Sequence, residues 1–347
     1  QCIERRIGDL SVFALLYFSA ETLLFGTNES MRVKLVGYIF IVLFLGTLLC
    51  LSIYKNIKFS KSSMYLFLLF TLLLVGTVVT NLDFSIKYIY ILILCAISFL
   101  YCGMIDINSF KESYLQVTYL LSLFSLFSTV AYYIAYPIVA RFPVVVNSAG
   151  TKFYFLLLSV VPQKTLYVGY RNYGIFREPG VYSVFLIAAV LFELSKKRLN
   201  KKRFIVQIIT LITTFSTAGY IVMGIIIIGG IILTNRNIKL KIILIIALLA
   251  VVIYVYHSGI LLGQLRKLTT ENDSLEARLG SFIVNIKMSI GNIWKFFFGN
   301  GFSYVENNYS VVAQSLGVNS VHNTNTLLKM LSVYGVVFTT LIVKNLI

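Results

Sequence analysis

Acidic side chains are scarce in this sequence: 13 Asp and Glu stand against 30 Lys and Arg over 347 residues. Charged residues of both signs together reach only 12%, about half the share of an ordinary soluble domain, which excludes a water-coated globular fold of this size. Proline is almost as rare, with 4 in the whole chain, so little interrupts long helices. Cys2, Cys50, Cys95 and Cys102 lie at the N-terminus or in apolar runs. That placement argues against a disulfide framework or a cysteine-ligated metal. Histidine occurs twice, as His257 and His322.

Long hydrophobic runs fill the space left by these absences. Hydrophobic residues make up 58% of the chain, the mean hydropathy is +0.87, and apolar stretches of about 20 residues recur, the length that spans a bilayer core. Continuous runs such as Ile225 to Leu233 lack the period-two alternation of a membrane β-barrel. The expected fold is all-α, a polytopic transmembrane helical bundle forming one integral membrane domain over 1–347. The first apolar run leads into further spans, which argues against a cleavable signal peptide. The net charge of +17 is divided among short loops, a pattern of membrane topology and not of nucleic-acid binding.

Spans are expected near 7–25, 35–54, 64–80, 86–105, 114–136, 179–195, 204–217, 219–234, 242–257 and 324–343. The run from Phe204 to Thr234 is too long for one helix and is divided at Ser216-Thr217-Ala218-Gly219, so it reads as a hairpin. Alternate loops carry the basic residues: Arg5 and Arg6, Lys55 to Lys61, Lys111, Lys196 to Arg203, Arg236 to Lys241, and Lys344. The positive-inside rule makes these loops, and both termini, cytoplasmic.

Two long segments then face outward, about 137–178 and 258–323. Both carry basic residues; the first holds Arg141, Lys152, Lys164, Arg171 and Arg177 against Glu178, an excess suited to an anionic ligand. Lys152 to Val161 and Phe282 to Phe298 are candidates for short helices lying in the membrane interface. The densest charge sits in Tyr170-Arg-Asn-Tyr-Gly-Ile-Phe-Arg-Glu-Pro-Gly180, where the Pro-Gly starts an apolar span. Arginine at a membrane boundary either snorkels or holds an anion, and its planar fork suits phosphate oxygens. Glu178 reads as a general base, or as an ion-pair partner of Arg177 or Arg278 that favours the helix N-terminus. Tyr167, Tyr170 and Tyr173, spaced by three, are a candidate sugar-stacking edge. Gly299 and Gly301 in Phe-Gly-Asn-Gly-Phe permit a turn with positive φ. Lys329 lies inside the last span, and His322 and Asn323 stand where the second long segment re-enters the membrane, Asn323 as a helix cap.

Gly174-Ile-Phe-Arg-Glu-Pro-Gly180, the Ser216-Thr217 hairpin tip, Ser274-Leu-Glu-Ala-Arg278 followed by Phe296-Phe-Phe-Gly-Asn-Gly-Phe302, and Val321-His-Asn323 ahead of a span with Gly335 occur in that order. Together they resemble bacterial O-antigen and capsular polysaccharide polymerases and the related O-antigen ligases, over roughly 165–343. The family's hairpin often carries an arginine after the serine; here Thr217-Ala218 stands instead, leaving the tip without an arginine of its own. The resemblance implies a glycosyltransferase type C-like membrane enzyme of the bacterial plasma membrane, acting on its outer face without metal or other cofactor. Its substrate would be an undecaprenyl-diphosphate-linked oligosaccharide in the lipid bilayer, and its partners a flippase and a chain-length regulator. It further implies substrate binding by Arg171, Arg177, Arg278, Tyr173 and Asn323, with His322, Arg278 and Glu178 in catalytic roles. A ligase, or a lipid-linked sugar flippase, is the alternative.

Overall fold

The computed structural model describes residues 2–19, 22–24, 31–146, 151–164, 170–233, 246, 273–318 and 326–346. The expected span over 242–257 lies outside them apart from Ile246, as do His257, His322, Asn323 and Tyr167. The helices are α1 (Cys2–Tyr17), α2 (Met31–Tyr54), α3 (Lys61–Asn81), α4 (Ile86–Met104), α5 (Ile107–Ile134), α6 (Tyr136–Val139), α7 (Pro179–Leu194), α8 (Lys201–Thr213), α9 (Thr217–Leu233), α10 (Asp273–Ile290), α11 (Ile293–Phe298), α12 (Phe302–Ser315) and α13 (Thr326–Leu346). Helices α2 to α5 each contain a stretch long and apolar enough to cross a membrane, and α7, α10 and α13 contain shorter apolar stretches. Large side chains such as Phe40, Leu43, Ile53 and Leu72 are exposed on α2 and α3, as lipid-facing surfaces require. The chain is an α-helical membrane protein.

It divides into two compact units, Gln1–Leu51 with Met104–Tyr254, and Ser52–Gly103 with Val255–Ile347. In the first, α1, α7 and α8 pack on α5. The stripe Thr118, Ser122, Ser125 and Ser128 is buried along α5, and small residues at this spacing let helix backbones approach closely. Asp106 caps α5 by accepting from Asn108 N at 3.1 Å, and Pro179 occupies the first turn of α7. Part of the basic cluster at 196–203 is structural. Arg203 pairs with Glu112 at 2.6 Å and lies 3.7 Å from the fully buried Glu193, while Lys196 also bonds Glu112.

Two expectations change in this unit. The span expected over 7–25 ends as helix at Tyr17, and Thr22 instead forms a β-bridge with Phe176. Lys152 to Val161, expected as a helix, belongs to an antiparallel three-stranded sheet of β1 (Val144–Val146), β2 (Lys152–Phe155) and β3 (Val160–Pro162). These residues are β-branched and aromatic, types that favour pleated surfaces, and both faces are covered. Val145, Phe153 and Val160 pack with Leu23, whereas Tyr154 and Val161 pack with Tyr132, Val139 and Tyr170.

The second unit is built around two interruptions that meet. Asn300 N donates to Ser332 O at 2.8 Å and Gly301 N to Val333 O at 3.0 Å. The last span, expected as one helix, is broken at Gly335, with φ 80° and ψ 177°. Gly299 and Gly301 have φ of 76° and 78°, the positive values expected of this turn. Lys329 stands 4.0 Å from Glu306 and is partly exposed.

Asp83, in the α3–α4 loop, caps α12 from outside the helix, accepting from Ser303 N at 2.9 Å, Ser303 Oγ at 2.6 Å and Tyr88 Oη at 3.1 Å. Burial pushes its carboxyl up, but these bonds and one from Ser85 N outweigh it and hold the carboxyl below its ordinary value. The native state therefore binds fewer protons than the unfolded chain near the usual carboxylate pKa. The resulting stability is present above about pH 4 and is lost as pH falls through the depressed value. Asp83→Ala is expected to cost about 2–3 kcal/mol, a lost cap plus donors left without an acceptor. The check is the folded fraction after heating, by size-exclusion chromatography at pH 7 and at about pH 2, below the depressed value: the variant's deficit should shrink at the lower pH.

Candidate functional site

The charged segment ahead of α7 is a tightly held strap within the first unit. Its anchor is Asn172, which is 1% exposed. The Asn172 Nδ2 donates to Thr213 Oγ1 at 3.0 Å and Ser125 Oγ at 3.2 Å, and its Oδ1 accepts from Gly174 N at 3.0 Å. Main-chain bonds fix the rest: Asn172 N to Thr213 O at 3.0 Å, Val160 N to Gly174 O at 2.6 Å, and Leu23 N to Ile175 O at 3.0 Å. Gly174 has φ 56°, and a Cβ there would lie 2.7 Å from the Tyr182 ring, so only glycine lets the strap lie against α7. Phe176 is buried and stacks on Phe185 at 4.5 Å.

This strap carries Arg171 to the tip of the α8–α9 hairpin. Its Nε donates to Thr214 O at 3.3 Å and its Nη2 to Phe215 O at 2.9 Å. These carbonyls close the C-terminal end of α8, where the helix dipole favours a cation. The tip that lacks an arginine in its own sequence thus receives one from the preceding loop. A guanidinium has five N–H donors. These two bonds use two of them, and the other three have no partner among the described residues. Burial pulls the Arg171 guanidinium below its ordinary value, opposed by the nearby Tyr173, Tyr220 and Glu178.

Glu178 is exposed, begins α7 as its N-cap residue, and makes no side-chain cap bond. It forms no ion pair among the described residues, so no bridge joins it to Arg177, and its other expected partner, Arg278, has its side chain outside the described residues. Arg177 is half-buried. Tyr173 is half-buried beside Phe153, ring centres 5.1 Å apart, and burial pushes its phenol up while Arg171 opposes this. Tyr170 is corrected as a sugar-stacking residue. It is 5% exposed, packs on Tyr132 at 4.4 Å and shares a 3.1 Å hydrogen bond with Thr129.

The structure therefore brings together Arg171, Tyr173 and Glu178 around the hairpin tip. Arg278 lies in α10, in the second unit, and its side chain is outside the described residues, as are His322 and Asn323. Among the described residues no three His, Cys, Asp or Glu side chains cluster as metal ligands would.

Comparison with protein-family models, curated proteins and solved structures returned no match.

Sequence reasoning missed Asn172 and Tyr220. The signal for Asn172 was present, because Asn followed two residues later by Gly is the pattern of a side-chain-closed turn. Tyr220 carried none: its hydroxyl bonds Ile212 O across the hairpin, a contact that exists only once α8 and α9 are paired. Chemically, the arrangement offers an anchored cation with donors to spare, an exposed carboxylate and a phenol. Those groups suit an anionic ligand carrying hydroxyls.

Proposed function

We propose that this chain is a membrane-embedded glycosyltransferase that joins undecaprenyl-diphosphate-linked repeat units into a polysaccharide. The supporting observation is Arg171, whose fork is fixed at the hairpin tip with donors unused, next to Glu178 and Tyr173. In this reading the chain crosses the bacterial plasma membrane about ten times, with both termini inside and the site facing outward. The diphosphate of the donor lies on Arg171, with Arg177 in the same strap; Arg278 is a further phosphate-binding candidate by resemblance alone. A hydroxyl of the acceptor unit attacks the anomeric carbon of the donor glycan. The new C–O bond forms as the anomeric C–O bond to diphosphate breaks, and the electron pair leaves with the phosphate oxygen. The hydroxyl proton passes to Glu178 or His322. Arginine forks stabilise the charge that develops on the departing diphosphate. Tyr173 positions glycan, a role the resemblance also gives to Asn323.

The test is reconstitution of the purified chain into vesicles with lipid-linked repeat units, read as a ladder of products. The expected result is a ladder without added nucleotide, lost in the Arg278→Ala and His322→Ala proteins. A single product on a different lipid acceptor would make it a ligase instead. Movement of unchanged substrate between leaflets would make it a flippase, and either outcome overturns the polymerase reading.

A further inference from the structure

Helix α10 is built with its polarity reversed. Ser281, Asn285 and Ser289 are buried against the second unit beside Val284 and Met288. Hydrogen bonds hold them there: Tyr309 Oη donates to Ser281 Oγ at 2.9 Å, Ser332 Oγ to Asn285 Oδ1 at 2.8 Å, and Ser289 Oγ to Asn285 O at 2.7 Å. The opposite side presents Leu279, Phe282, Ile283 and Ile290, all exposed. A helix on a water-facing surface does the opposite. Polar groups turned inward and aliphatic groups outward are the arrangement hydrocarbon demands, because lipid cannot satisfy polar atoms.

This face forms one wall of a groove of about 440 Å³, lined by Phe282, Ile283, Ile286, Lys287, Ile290 and Leu316. Among the described residues, Lys287 is the only charged one in the lining, and no acid accompanies it. An apolar trough with one ammonium group at its edge matches a molecule with a long hydrocarbon chain and a negative head. We infer that the groove seats an acyl chain of an anionic phospholipid, with its phosphate on Lys287. Part of the segment expected as an external loop is then embedded in lipid. The inference rests on the membrane reading and not on glycan transfer.

The chain has a single tryptophan, Trp294, which is 67% exposed, so Trp294→Phe clears the background at little structural cost. Ile283→Trp then places a reporter at an exposed groove position, and Ile286→Trp serves should the first variant not fold. The full chain goes into phosphatidylcholine vesicles containing equal small fractions of either brominated phosphatidylglycerol or brominated phosphatidylcholine. The expected result is roughly fivefold preferential quenching by the anionic lipid, the ~1 kcal/mol that one lysine contributes near an anionic surface. Lys287→Gln should abolish the preference, and inorganic phosphate should leave it intact. Equal quenching by the two lipids, no quenching by either, or relief by inorganic phosphate would overturn the inference. Relief by a stoichiometric polyprenyl phosphate would also overturn it, giving the groove to a lipid-linked substrate instead.

Discussion

Replacing Gly335 by alanine is expected to leave little folded protein. Its φ of 80° and ψ of 177° lie in a region that only glycine occupies comfortably. An added Cβ would sit 2.2 Å from Phe297 O and 2.6 Å from Gly299 N. Both are backbone atoms, so no side chain can swing aside. Gly299 is the reciprocal position, with φ 76° and a Cβ that would meet Val333 O at 2.1 Å. The interruption in α13 and the turn before α12 are therefore held by mutual backbone contact, and an alanine at either glycine pushes the two apart. Strain alone costs about 1–3 kcal/mol. With the clash and the threatened bonds to Ser332 O and Val333 O, the loss should exceed about 3 kcal/mol, a large share of a typical stability of roughly 5–15 kcal/mol. Gly46 in α2 is the control, since a Cβ there meets nothing within 4 Å. Size-exclusion chromatography after graded heating should show Gly46→Ala near the parent protein and Gly335→Ala and Gly299→Ala mostly aggregated. A Gly335→Ala protein that melts with the parent would refute this account of the junction.

Those glycines illustrate how unevenly the sequence announces structure. Gly299 and Gly301 are legible because they flank a single asparagine between aromatic runs. Gly335 is not: it sits in an otherwise helical apolar stretch, and its break is dictated by the neighbouring backbone it touches. Apolar length foretells α2 to α5, and Pro179 foretells the start of α7. The hairpin was readable because Phe204 to Thr234 is too long for one helix, and its tip falls at Thr214 to Ser216. The sheet was hidden because strands of three or four residues are too short to show a period. Likewise, α1 stops at Tyr17 although Leu23, Leu24 and Phe25 resume the apolar pattern beyond Ser19 and Glu21, and Leu23 packs in the core beside the sheet. At the candidate site the sequence singled out Arg171, Tyr173 and Glu178 by charge and position. That Arg171 occupies the hairpin tip, 43 residues from Thr214, is tertiary information that no local pattern carries. The same holds for Asp83, which caps a helix 220 residues away.

Arg171→Ala is expected to lower polymer formation by roughly 10²-fold or more, the scale seen when one preorganised donor to developing charge is removed. Arg171 has two roles that must be separated. Its bonds to Thr214 O and Phe215 O close a helix end, and losing them costs stability of about 1 kcal/mol. Its remaining donors face a ligand in the proposed reading, and losing them costs turnover. Arg171→Lys distinguishes the two. The ammonium keeps the charge at the helix end, but it is a point donor that cannot reach both carbonyls and still present a fork to two phosphate oxygens. The lysine protein should therefore melt close to the parent while remaining defective in chain extension, with saturation requiring more lipid-linked substrate. If Arg171 is only a helix-end residue, lysine restores stability and polymer together, and alanine loses both in proportion. Measuring the melting temperature and the product ladder on the same preparations decides between them: full activity in the lysine protein would remove Arg171 from the substrate site.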